Sequence, residues 1–82
     1  MHEKSFESAF IAIYSQVKEG KFSDLKADEA GFINKSRYLM KVKDKAKISR
    51  AQIYRHYEVV RHRFEEIKEG RSWYIRLTEG DE

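Results

Sequence analysis

Apolar residues recur along this chain with two different periods, and the change comes near Ile67. Phe6, Phe10, Ile13 and Val17 fall at i, i+4, i+7 and i+11, one stripe of a 3.6-residue repeat, and Ala9 and Tyr14 widen it. This spacing predicts a first helix over residues 4–19, with Ser5 a candidate cap and Gly20 a stop. Residues 21–34 carry no clear period. Phe22, Leu25, Ala30, Phe32 and Ile33 are scattered, Ser23 could cap a short helix and Gly31 would break it, so a connector holding one short helix or strand is expected. Asn34 or Ser36 caps a second helix to about Lys45, with Tyr38, Leu39 and Val42 inward and Lys35, Lys41, Lys43 and Lys45 outward. A tight turn at Ala46-Lys47-Ile48 follows. Ser49 then caps a third helix, whose stripe of Ile53, Tyr57, Val60 and Phe64 predicts that it runs to Glu65 or Glu66. Beyond Ile67 the period becomes two. Trp73, Ile75 and Leu77 alternate with Tyr74 and Arg76, and Glu69-Gly70 can turn the chain, so a β-hairpin is expected over residues 67–77.

Composition narrows the class. Eighty-two residues make one domain, residues 1–82, and 40% hydrophobic with 13% aromatic content opposes disorder. No apolar run reaches the ~20 residues of a membrane helix, and the polar start has no signal-peptide layout. A cytoplasmic place is the default, a host's cytoplasm if the origin is viral. Without cysteine there is no disulfide, thiolate chemistry or cysteine-ligated zinc. His56 and His62 are six apart and share no helical face, so no metal is expected. No nucleophile elbow, P-loop or zinc-protease signature occurs, and adjacent acids such as Glu65-Glu66 point apart, so neither an enzyme nor a cofactor is expected.

Charge changes the picture more. Between Lys35 and Arg63 ten basic residues stand against Asp44 and Glu58, a block of +8, while the rest of the chain carries −5. The block coincides with the second and third helices. A face aimed at a polyanion is one reading; a solvated lysine-rich surface is the other.

Two short helices joined by a tight turn, the second one basic, then a hairpin: this order resembles a winged helix-turn-helix, an α+β fold of three helices plus a C-terminal wing. The resemblance sharpens over residues 48–78. Ile48-Ser49, Ile53, His56 and Tyr57 look like the recognition-helix start of bacterial and archaeal winged-helix transcription regulators of the ArsR and MarR type. Gly70-Arg71 is similar to their wing tip, and Tyr74-Ile75-Arg76-Leu77-Thr78 to their returning strand. The chain departs where those families place glycine-leucine before the wing, since Phe64-Glu65-Glu66-Ile67 has no glycine. The cysteine and histidine metal ligands of their sensing members do not carry over. The first 30 residues carry no resemblance.

The resemblance implies binding of double-stranded DNA, with a recognition helix over residues 49–64 in the major groove and a wing over residues 67–77 on the backbone or minor groove. Base-reading positions fall on Arg50, Ala51, Gln52, Tyr54 and Arg55. Arginine can bridge guanine O6 and N7, and glutamine adenine N6 and N7. Lys43, Lys47, Ser49 and His56 fall where the phosphate backbone is held, and Lys68, Arg71 and Ser72 where the wing touches DNA. Tyr57 is expected in the core and Tyr54 outside it. Trp73 is expected to anchor the hairpin to the core, an exposed indole being the other placement. The stripe of the first helix is core or dimer contact, and regulators of this kind commonly pair as homodimers on two half-sites. Two further readings stay open: a winged-helix module that binds a protein, and a DNA-binding factor for plasmid or viral replication or segregation.

Overall fold

In the computed structural model, which describes residues 2–78 with side chains from residue 6, helix α1 is His2–Lys18. It starts before Ser5, so Ser5 lies within the helix rather than at its cap. Gly20 ends it as expected. With φ at +81°, Gly20 donates its N–H to Val17 O and Lys21 donates to Gln16 O, the paired bonds of a Schellman close.

The connector contains no helix. Asp28 organises it instead: its Oδ1 accepts the N–H groups of Ala30 and Phe32 at 2.9 Å each. Leu25 is buried, and Phe22 and Ala27 pack on the core, so three side chains fasten the segment without a regular element. It ends in a two-residue strand, β1 (Ile33–Asn34).

Helix α2 (Lys35–Ala46) starts at Asn34, whose Oδ1 accepts the Arg37 N–H at 3.0 Å; of the two candidate caps, Asn34 is the one used. It closes at Lys47, which adopts φ +60° and ψ +48° and donates its N–H to Lys43 O. That left-handed conformation favours glycine, yet a lysine holds it. Helix α3 (Arg50–Val60) opens on Ser49 with a reciprocal capping box.

Helix α3 ends five or six residues earlier than its apolar stripe predicts. A 3-10 turn (Arg61–Arg63) leads into strand β2 (Phe64–Glu69), which pairs antiparallel with β3 (Ser72–Leu77). Phe64 would face the core in either conformation, so the stripe cannot tell them apart. Sheet pairing decides: a helix to Glu66 would leave residues 75–77 of β3 without partners on that edge, whereas β2 pairs all six of its residues. Two β-branched residues, Val59 and Val60, also make a poor place to extend a helix. The two-residue loop is Gly70-Arg71, one position later than expected. Gly70 has φ +62° and Arg71 does not enter positive φ, the pattern of a type II′ turn.

Strand β1 pairs with β3, Ile33 opposite Ile75, giving a three-stranded antiparallel sheet of order β1-β3-β2. Three helices and this small sheet form an α+β arrangement compatible with a winged-helix layout.

The core is aromatic. Phe10, Tyr14, Tyr38, Tyr57 and Phe64 meet with centroids 5.8–6.4 Å apart, tilted or edge-on. Each buried tyrosine hydroxyl has an acceptor. Tyr14 donates to Gly31 O (2.8 Å), Tyr38 to Phe10 O (2.5 Å) and Tyr57 to the Glu66 carboxylate. Without those acceptors each hydroxyl would cost roughly 1–3 kcal/mol to bury. The stripe of α1 is consumed here: Phe10, Ile13 and Val17 face the chain's own core.

Candidate nucleic-acid interface

Helix α3 divides into a core line and an outer face. Ile53, Tyr57 and Val60 are buried, whereas Arg50, Ala51, Gln52, Tyr54 and Arg55 are all exposed. Tyr54, at 43% exposure, is held outside the core as expected. Two other assigned residues are already engaged. Ser49 Oγ accepts the Gln52 N–H (3.1 Å) and Gln52 Oε1 accepts the Ser49 N–H (3.0 Å). The cap that starts the helix therefore occupies the Gln52 oxygen and leaves its Nε2 outward.

His56 does not stand free beside the arginines. Its ring stacks on Phe6 of α1, centroids 3.6 Å apart and 9° from parallel, so one face of the imidazole is covered. Lys43 pairs with Asp44 at 2.9 Å.

Five of the block's ten basic residues are ion-paired. Lys35 meets Glu66 (3.3 Å), Lys41 meets Asp24 (3.1 Å), Lys43 meets Asp44, Arg61 meets Glu58 and Glu66 (3.3 Å each), and Arg63 meets Glu7 (2.5 Å). Among the described residues, Arg37, Lys45, Lys47, Arg50 and Arg55 form no ion pair. Four of these five run from the end of α2 through the turn into α3. The unneutralised charge is thus concentrated at the turn and the start of the basic helix. Lys68 and Arg71, near and in the hairpin loop, are also exposed and free of ion pairs among the described residues.

The hairpin is tied to α3 by a group the sequence reading did not single out. Glu66, 12% exposed, accepts from the Tyr57 hydroxyl and pairs with Lys35 of α2 and Arg61 of the 3-10 turn. Burial pushes this carboxyl up, but the Tyr57 hydroxyl, Lys35 and Arg61 outweigh it and hold it below the ordinary carboxylate value. Burial, and then Glu66, push the Tyr57 phenol well above its usual range. Glu66 lies opposite Ile75 in the ladder, so it shares the inner face of the hairpin.

Trp73 departs from its expected core place. It lies on that same inner face yet is 45% exposed. Lys68 is directly opposite it in the ladder, with Nζ 5.8 Å from the indole, and Lys35 Nζ stands 6.0 Å from the ring. The Lys68–Trp73 pairing depends on the loop position, since the turn expected at Glu69-Gly70 would set Lys68 against Arg71. Placing the loop at Gly70-Arg71 puts Glu69 against Ser72 and, one step further, Lys68 against Trp73. Ser72 is half-buried and Lys47 exposed.

No described helix is long and apolar enough to cross a membrane. No family model, curated protein or solved structure matches this chain.

Proposed function

We propose that this protein is a sequence-specific double-stranded DNA-binding protein of the winged-helix kind, a regulator of transcription. It would seat α3 in the major groove and the hairpin on the adjoining backbone or minor groove. The observation that carries the reading is the pattern of unpaired charge. The protein's own acids pair with five of the block's ten basic residues, and four of the other five are Lys45, Lys47, Arg50 and Arg55, where a groove-inserted helix would meet DNA. An α-helix fits the major groove, and residues near its N-terminus reach base edges. Arg50 and Arg55 would read bases, with Ala51, Tyr54 and the Gln52 amide beside them. Lys47 would hold a phosphate.

The experiment is a salt titration of binding to a duplex selected from a random pool. Affinity should fall steeply with salt as counterions are released. Arg50→Ala and Arg55→Ala should each lose about 1–3 kcal/mol on the selected site and relax its sequence there. Parent-like binding by both variants overturns the assignment of α3. A palindromic selected site would indicate two copies. Since the Phe10–Ile13–Val17 stripe lies inside the core, a homodimer would meet through another face of α1.

One observation favours a second reading, a module that binds a protein. Val59, on the same helix, is 54% exposed and would be apolar contact area with no use on a phosphate backbone. A partner captured equally with and without nuclease, together with no duplex shift at low salt, would favour it. Service in plasmid or viral replication or segregation uses the same DNA contacts, and the identity of the selected site would separate it from transcription.

A further inference from the structure

The inner face of the hairpin changes character along its length. At its root Phe64 pairs with Leu77 and is buried, and in the middle Glu66 pairs with the fully buried Ile75. Towards the loop Lys68 pairs with Trp73, and both are exposed. The face that is core at the root is therefore open to solvent near the loop. There it presents an indole with one ammonium on the opposite strand and another, Lys35, reaching from the first residue of α2. Lys35 also stands 4.9 Å from the Tyr57 ring of α3. The shelf thus abuts both α2 and α3 instead of standing apart at the loop.

A large aromatic side chain left half in water, beside a lysine with no ion pair among the described residues, suits a partner with two features. One is a flat or apolar surface for the ring; the other is an anion within reach of the ammonium. A sugar–phosphate backbone supplies both at each nucleotide. We propose that Trp73, Lys68 and Lys35 form a second DNA contact: the Trp73 ring packs on a deoxyribose of the strand bordering the groove that holds α3, and Lys68 takes the neighbouring phosphate. Lys35 is held by Glu66 at 3.3 Å, so its part is to keep the indole in place and add positive potential. The contact rests on the duplex-binding reading above, and it moves the hairpin's main contact from the Arg71 loop to the inner face.

The chain has a single tryptophan, so its intrinsic fluorescence reports this shelf directly. The protein is titrated with a dye-labelled selected duplex, dye anisotropy and indole emission being followed together. Both should change along the same curve. Trp73→Ala should weaken binding about tenfold. Trp73→Phe should recover part of that loss, and Lys68→Ala should lower the salt slope by about one. A rise in anisotropy with unmoved indole emission, or parent-like affinity in Trp73→Ala, overturns the shelf and leaves the duplex reading standing. No anisotropy change at low salt overturns both. Circular dichroism spectra of the variants at the assay temperature, matching the parent's, exclude misfolding as the cause of a loss.

Discussion

The root and the loop end of the hairpin's inner face are built from the same two strands, in one register, on one side of the sheet. Yet Ile75 and Phe64 are buried, while Trp73, the larger apolar group, is 45% exposed. Alternation is the same at both ends; what differs is how fully the rest of the molecule covers the face. At the root the rings of Phe10, Tyr38 and Tyr57 cover Phe64. Near the loop two lysine ammonium groups stand 5.8 and 6.0 Å from the indole, and nearly half of its surface stays in solvent. A period of two says which residues share a face and is silent on whether that face is covered.

That comparison can be broken by substitution. Ile75→Ala should cost about 2–5 kcal/mol of unfolding free energy, because it opens a cavity at a fully buried site. Trp73→Ala should cost under about 1 kcal/mol, since half of the indole is already in water. Urea titrations of both variants measure the difference, and equal losses would show that the two ends are packed alike.

Between them stands Glu66, where the face changes from apolar to charged. Glu66→Ala removes the acceptor of a buried phenol and the counter-ion of Lys35 and Arg61, and should cost roughly 1.5–3 kcal/mol. Equilibrium unfolding at neutral pH reads this, and a loss below a few tenths would mean the join is loose.

The same join sets two smaller, pH-dependent effects. The Glu66 carboxyl is held below its ordinary 4.5 in the folded protein, so its contribution is complete above that value and fades as the pH falls through its folded-state value. Tyr57 is shifted the other way, above its ordinary 10, so its contribution is complete below pH 10 and is lost as the pH rises further. Melting temperature against pH should show both limbs. Glu66→Gln should flatten the acid limb while its alkaline limb persists, because the burial that raises Tyr57 remains.

Much of the helical part was legible in the order of residues. Asn34 and Ser49 are caps because short polar side chains accept backbone N–H groups locally. Tyr38, Leu39, Val42, Ile53 and Tyr57 face inward because 3.6-residue spacing stacks them on one side of a helix. The candidate contact residues divide along the same line. Arg50, Arg55 and Tyr54 are exposed because they lie off that stripe. His56, also off the stripe, is covered by Phe6, fifty positions away, which no local pattern reveals.

Sequence order thus settled the elements that depend on neighbours within four residues: the Ser49 cap, the helix faces, the glycine stop of α1 and the existence of a hairpin. Three things waited for tertiary structure, and each depends on residues distant along the chain. The end of α3 was decided by β3, whose backbone groups required a paired strand where the apolar stripe allowed a helix. The exposure of Trp73 was decided by how much of the loop end the rest of the molecule covers. And which cations stay free was decided by acids brought in from Glu7, Asp24 and Glu66, because an ion pair needs only 4 Å in space and takes no account of separation in sequence.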